Sequence, residues 1–247
     1  MKYNFIFREN SILLKNGNLP DNEIMRKCLE LNVASDWLEE KQLGYAALLL
    51  EDNSPNPAGY EDIKLREYFA QADEYHSALA ARAKGILNFK SNKRFCAKCG
   101  GILKDDANFT ARTCIKCGRQ YFPQLEPAVI VLVSKGDEIL LAKHKNRNSN
   151  VYSTLAGFIE MGETAEHAVA REIKEESGIS IKNIKYVGSQ AWPFPDQLML
   201  AFTAEYESGE IKIQEDELLD AKFFKRTSLP AVPCPGTVAH NLIFGKF

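Results

Sequence analysis

Four cysteines most restrict what this chain can become. Cys96 and Cys99 in FCAKCGG, and Cys114 and Cys117 in TCIKCGR, form two Cys-x-x-Cys pairs with fourteen residues between them. The surrounding stretch, residues 93–124, is short, rich in Cys and Gly, and has no apolar run able to make a core. Two such pairs deliver four sulfurs to one tetrahedral centre at Zn–S distances of about 2.3 Å. A bound structural zinc contributes about 10–16 kcal/mol of apparent folding free energy, which substitutes for the missing core. Gly100 and Gly118 follow the pairs and let backbone amides turn toward the thiolates. A closed four-sulfur set predicts structural Zn²⁺; reduced thiols in a loop, or a redox pair, are the alternative. Cys28 and Cys234 stand apart and read as buried or partly buried thiols.

The cysteines divide the chain into residues 1–92, 93–124 and 125–247. The first region mixes strand-like runs (YNFIF, SILLK, GYAALLLED) with helical stretches. Its clearest helix follows Glu61, where Leu65, Phe69, Ala72, Tyr75, Leu79 and Ala83 recur at three- and four-residue steps. The third region opens on EPAVIVLVSKGDEILLAKH, two apolar runs around a turn, hence a hairpin. A helix and the strand-like runs IKNIKYVGS, QLMLAFTAEYESGEIKI and LDAKFFKR follow, then a terminal helix in TVAHNLIFGKF. This order predicts an α+β sandwich, and no internal repeat is visible. The net charge of -2 excludes a generally basic surface that coats nucleic acid. No apolar run approaches the roughly 18 residues that cross a bilayer. MKYNFIFREN lacks the apolar core of a signal peptide, so a cytoplasmic protein without a membrane partner is expected.

The third region's helix runs from a Thr164 cap to a Gly178 stop, with Ala165, Ala168, Val169 and Ile173 as its apolar stripe. Glu172, Glu175 and Glu176 lie at i, i+3 and i+4, where like charges destabilise an isolated helix. A solvated face is one reading. The other is a hard divalent cation, Mg²⁺ or Mn²⁺, whose preferred ligands are carboxylate oxygens.

The stretch GFIEMGETAEHAVAREIKEESGI fits G-x5-E-x7-R-E-U-x-E-E-x-G-U, with U aliphatic, at Gly157, Glu163, Arg171, Glu172, Ile173, Glu175, Glu176, Gly178 and Ile179. It resembles the Nudix box. The resemblance implies an α/β/α Nudix sandwich over 125–247, a preceding zinc ribbon, an N-terminal α/β domain that is itself Nudix-like, and hydrolysis of a nucleoside diphosphate linked to another group. It makes Glu172 and Glu176 Mg²⁺ or Mn²⁺ ligands, Glu175 a further ligand or a water-orienting base, Glu217 a late ligand, and the Ala156 carbonyl an additional one. Arg171 would brace the loop through Glu163. Read without the resemblance, Glu217 is one of several acids in EDELLD.

SQAWPFPDQ, residues 189–197, resembles the SQPWPFPxS array of the NADH pyrophosphatase (NudC-type) subfamily, with Ala191 in place of Pro and Gln197 in place of Ser. A zinc ribbon before the domain is also that subfamily's arrangement. The resemblance makes Gln190, Ala191, Trp192, Pro193, Phe194, Pro195, Asp196 and Gln197 substrate-binding, together with Arg66, Phe122, Phe158 and Ala239. Phe122 stands where the subfamily commonly has Tyr. The alternatives are a packing loop for Trp192 and Phe194, a solvated helix residue for Arg66, and a helix residue of no special role for Ala239. Lys143, Lys145 and Arg147 read as a solvated loop or as phosphate-gathering cations. The four histidines show no ligand spacing.

The implied reaction is NADH plus water giving reduced nicotinamide mononucleotide and AMP. The relation extends it to NAD⁺, to the NAD cap of RNA 5′ ends, and to a homodimer. Two alternatives stay open. One is a Nudix hydrolase for ADP-ribose or dinucleoside polyphosphates; the other is a zinc-ribbon nucleic-acid-binding protein with a silent Nudix domain.

Overall fold

The computed structural model describes residues 2–145, 150–194 and 196–247, so Arg147 and Pro195 lie outside the described residues. Two compact units form: Met1–Leu125 with Pro193–Asp196, and Glu126–Trp192 with Gln197–Phe247.

In the second unit, β9 (Glu126–Lys135) is buried from Ala128 through Val133. A continuous apolar run marks a strand covered on both faces. Alternation then sorts the run. Val129, Val131 and Val133 pack with Ala168, Val169 and Ile173 of α4 (Ala165–Ser177). Ala128, Ile130 and Leu132 pack with Val238, Ala239, Leu242 and Ile243 of α5 (Val238–Phe244). Truncating Ile173 to Ala in such a core costs about 2–5 kcal/mol.

The sheet runs β12 (Ser180–Trp192), β13 (Gln197–Ser208), β9, β10 (Glu138–His144), β14 (Leu218–Lys225), with β11 (Leu155–Phe158) also on β9. The expected hairpin pairs Glu138 with Lys135 and Ile139 with Ser134, and Gly136 turns it at φ 62. QLMLAFTAEYESGEIKI is not one strand: β13 stops at Ser208, Gly209 adopts φ 102, and Ile211 and Ile213 pack on the core from a loop. The α/β/α sandwich is the fold, and residues with β-period and helix-period apolar patterns supply it.

The first unit holds a sheet of β1 (Tyr3–Arg8), β2 (Ser11–Leu14), β3 (Ala34–Glu40), β4 (Tyr45–Leu50) and β5 (Glu61–Lys64), in the order β3-β4-β1-β2-β5. Phe5, Phe7, Tyr45 and Ala47 pack with Leu65 and Tyr68 of α2 (Leu65–Gln71) and Leu79, Ala80, Ala83 and Leu87 of α3 (Glu74–Asn92). Ile6, Ala46, Leu48 and Leu50 pack with Met25 and Cys28 of α1 (Asn22–Glu30). The single helix expected after Glu61 is therefore two. Ala72 is extended (φ -74, ψ 150), and the Asp73 carboxylate accepts from the His76 amide at 2.9 Å, capping a new helix. Tyr75, just past the break, is exposed. Cys28 is buried, whereas Cys234 in the second unit is exposed, against the expectation of burial.

β6 (Leu103–Asp105), β7 (Arg112–Cys114) and β8 (Gln120–Tyr121) form a separate antiparallel sheet within the first unit. The Arg112 guanidinium donates to the carbonyls of Lys90, Lys93 and Leu103, tying the end of α3 to this sheet.

Candidate active site

The four-cysteine cluster is the nucleus of the small sheet. All four sulfurs lie within 4.8 Å of one another, and among the described residues no other group of three or more ligand-type side chains converges so closely. Cys96 and Cys117 stand 3.6 Å apart, as do Cys99 and Cys114. Sulfurs on a tetrahedron of about 2.3 Å radius would stand about 3.8 Å apart, so the donor set fits one metal ion. The Tyr121 hydroxyl, 3.2 Å from the Cys96 sulfur, holds that thiol down at about 6, toward the ligating thiolate.

The acidic helix is organised around one guanidinium. Thr164 Oγ1 accepts from the His167 amide at 3.2 Å and begins α4; Gly178, at φ 76, ends it. Arg171 donates from Nε and Nη2 to the two oxygens of Glu163 at 2.8 and 2.9 Å, and from Nη2 to the Phe158 carbonyl at 2.8 Å. Its Nη1 reaches Glu172 at 2.8 Å and Glu175 at 3.0 Å. These bonds, and the Glu160 amide, hold the Glu163 carboxyl at about 2. One bidentate pair therefore fixes the loop before the helix while the same side chain separates two carboxylates.

The three glutamates of the turn have different surroundings. Glu176 is buried, at 2% exposure, while Glu175 is exposed. Burial pushes the Glu172 carboxyl up; Arg171 pulls it back, and the charges of Glu175 and Glu217 raise it again. Glu217 thus bears on Glu172 from the segment before β14, where its amide donates to the Gln214 carbonyl at 3.0 Å. The Gln214 amide in turn donates to the Glu176 carbonyl at 3.0 Å. Gly157 lies directly under Glu172: a Cβ there would sit 1.9–2.2 Å from its carboxylate atoms. Ala156 precedes it in β11, paired with Ile130, and Phe158 is exposed.

The aromatic-proline segment begins at the end of a hairpin strand. Trp192 is the last residue of β12, paired with Gln197 of β13, and Ala191 pairs with Leu198. Trp192 packs against the α5 side of the second unit's core. Gln190 donates to the Gly236 carbonyl and accepts from the Val238 amide, both at 2.8 Å, which orders the start of α5 beside the buried Ala239. Pro193, Phe194 and Asp196 belong to the first unit. There the Phe194 ring meets Phe69 edge-on, with centroids 6.2 Å apart, and the Arg66 guanidinium lies 5.0 Å from the Phe194 centroid. Phe122, also in the first unit, is exposed and meets Phe109 edge-on.

Residues 124–241 match the NUDIX domain. The NUDIX likeness is that of this domain, just under half of the chain. Over 165 residues it is 48% identical to the NAD-capped RNA hydrolase NudC of Salmonella heidelberg, a match covering 67% of this chain and 64% of that protein. The protein of the same name from Citrobacter koseri matches with the same identity and coverage. The chain thus spans about 64% of the length of these curated relatives. Among solved structures, a NUDIX hydrolase from Nitrosomonas europaea is 24% identical with a TM-score of 0.49, covering 56% of this chain and 80% of that one.

The stretch from Gly157 to Ile179 is thus a loop, a helix and a loop, with the Glu172 carboxylate over Gly157 and Glu172 and Glu175 on one guanidinium. Hard oxygen donors of this kind suit a divalent cation. Sequence reasoning missed Gln214, whose amide ties Glu217's loop to α4, because a backbone contact leaves no residue-type signal. It also missed Lys84 at 4% exposure. That signal was present: Lys84 interrupts the apolar stripe of Ala80, Ala83 and Leu87.

Proposed function

We propose that this chain hydrolyses the pyrophosphate bond of NADH and NAD⁺, giving (reduced) nicotinamide mononucleotide and AMP, and the same bond in the NAD cap of RNA 5′ ends. The observation that carries this is the complete Nudix box, with Glu163, Glu172 and Glu175 bonded to Arg171, Glu176 buried on the same helix and the Glu217 charge bearing on Glu172. The 48% identity to the NAD-capped RNA hydrolase NudC of Salmonella heidelberg supports the choice of substrate.

Water oxygen joins one phosphorus while the bond from the other phosphoryl group's bridging oxygen breaks, and each product keeps one phosphate. Divalent cations, when bound, neutralise the pyrophosphate and lower the pKa of a coordinated water. Glu172, Glu176, Glu217 and the Ala156 carbonyl would hold Mg²⁺ or Mn²⁺. Glu175, exposed beside them, takes the proton of the attacking water or joins the ligand set. Arg171 keeps Glu172 and Glu175 at fixed separation and pins the loop through Glu163. Phe158, Phe122, Arg66 and the residues 190–197 would bind the dinucleotide, with Ala239 at the α5 start. Zn²⁺ on Cys96, Cys99, Cys114 and Cys117 would be structural, and the expected species is a cytoplasmic homodimer. No described helix is long and apolar enough to cross a membrane.

The test is hydrolysis of NADH, NAD-capped RNA, ADP-ribose and diadenosine polyphosphates side by side. NADH and capped RNA should lead. A clear preference for ADP-ribose or diadenosine polyphosphates would replace the substrate, and no hydrolysis with retained RNA binding would replace the enzyme by a binding module. Metal content by mass spectrometry should show one zinc per chain.

A further inference from the structure

A cleft of about 730 Å³ opens in the first unit, whereas the glutamates of the Nudix box belong to the second. Lys64, Arg66 and Lys84 line it against a single carboxylate, Glu9. Lys84 is the unusual member. It is 4% exposed, and its ammonium donates to Asn88 Oδ1. Asn88 donates onward to Asp196 Oδ1 at 3.3 Å. Burial lowers the Lys84 pKa, and the Asp196 and Asp52 charges oppose that shift. A cation kept this far out of water is costly unless an anion meets it.

We infer that this cleft binds the phosphodiester chain of single-stranded RNA, the part of a capped substrate that lies beyond the dinucleotide. The inference rests on the proposed function. Under it, the charge of the reacting pyrophosphate is met by cations held on Glu172, Glu176 and Glu217 in the second unit. Lys64 and Lys84 of the cleft then answer to other phosphates, and free NADH carries none. The remaining lining matches nucleotide chemistry. Asn10 and Asn92 each offer an amide donor and acceptor, and Arg66 and Phe194, assigned above to the dinucleotide, line the same cleft.

The test uses the full chain with two variants, Lys64→Glu and Lys84→Met. Lys64 is exposed and makes no side-chain cap bond, so its replacement spares the fold even if Lys84→Met does not. The probe is a short 5′-monophosphorylated single-stranded RNA without a cap, followed by fluorescence anisotropy across a salt series. The wild-type protein should bind it with an affinity that falls linearly in log salt. Each variant should bind about tenfold more weakly with a salt slope shallower by about 1. NADH hydrolysis by Lys64→Glu should stay within about twofold of wild type. Wild-type levels of RNA binding in both variants would overturn the inference. So would a parallel loss of RNA binding and NADH hydrolysis in Lys64→Glu, or the absence of RNA binding by the wild-type protein. Absence of NADH hydrolysis in the wild-type protein is read in the other assay and would instead overturn the catalytic reading.

Discussion

The sheet of residues 3–64 and the sheet of residues 126–225 follow the same path. One runs β3-β4-β1-β2-β5 and the other β12-β13-β9-β10-β14. In each, the central pair (β1 with β4, β9 with β13) is parallel and the remaining neighbours on the path are antiparallel. In each, one helix precedes the edge hairpin and covers one face: α1 before β3, α4 before β12. The charges on those two helices differ. On α1, Lys27 meets Glu23 at 2.6 Å with both side chains more than half exposed, a solvent-screened surface pair that adds little to stability. On α4, one arginine gathers Glu163, Glu172 and Glu175, and Glu176 is buried beside them. One architecture therefore carries two different charge arrangements, and the proposed chemistry would belong to the loop and helix rather than to the sandwich.

The largest expected effect separates the two helices outright. Glu176→Gln keeps the side-chain volume and should cut NADH hydrolysis about 10²–10³-fold, the range found when one transition-state electrostatic group is removed. Glu23→Gln on α1 should leave the rate unchanged. Equal rates in the two variants would place the chemistry elsewhere. The glycines before the helices give a second contrast. Gly157→Ala puts a methyl group where the Glu172 carboxylate lies, displacing it without touching the core. A misplacement of about 1 Å costs a catalytic site about 10²-fold, so kcat should fall by that order with the melting temperature nearly unchanged. Gly17, before α1, has φ +76 and open space around its Cβ position. Gly17→Ala should cost about 1–2 kcal/mol in stability from its left-handed backbone, and nothing in rate.

The shared strand path was implied only through the resemblance, which makes the N-terminal domain Nudix-like; the residues do not show it, because equivalent strands share a burial pattern rather than residues. YNFIFR and EPAVIVLVSK are both two-sided strands, yet nothing in their letters aligns them. What was legible had local causes. Thr164 and Gly178 bound α4 because capping is set by residues in contact with the helix ends. The cysteine pairs converge because their own turns deliver them. Periodicity misled where a cap interrupted it: Leu65 through Ala83 reads as one stripe, but Asp73 restarts the helix. The Trp192 strand end was hidden for a similar reason, since Pro193 marks the tip while the pairing of Trp192 with Gln197 depends on register. Gln214 depends on a backbone bond to Glu176, distant in sequence, and no spacing announces it; Lys84 was announced only by its break in the apolar stripe.

Acid should distinguish the α4 loop by a smaller margin. Glu163 is held at about 2 by Arg171, below its ordinary 4.5. A depressed carboxyl contributes stability above about 4.5 and loses it as pH falls toward about 2. Urea midpoints for the second unit should therefore drop between pH 5 and pH 2.5, and Arg171→Met should flatten that limb while also impairing hydrolysis. A limb unchanged in Arg171→Met would remove Arg171 as its cause.

The caps of the two helices provide the smallest and most symmetrical test. Thr164 Oγ1 accepts from the His167 amide at 3.2 Å, and Asp21 Oδ1 accepts from the Ile24 amide at 2.8 Å. Each satisfies one amide that the first turn leaves without a helical partner. Replacing either by Ala should cost about 1 kcal/mol by chemical denaturation. The stability losses should match, since the two helices occupy equivalent places, but the activities should not. Thr164→Ala loosens the start of the helix that carries Arg171 and should lower kcat about two- to fivefold, because the glutamates must be held in register for the reaction. Asp21→Ala should leave kcat at the wild-type value. If both caps change the rate equally, the first sandwich takes part in the chemistry and the contrast between the two helices fails.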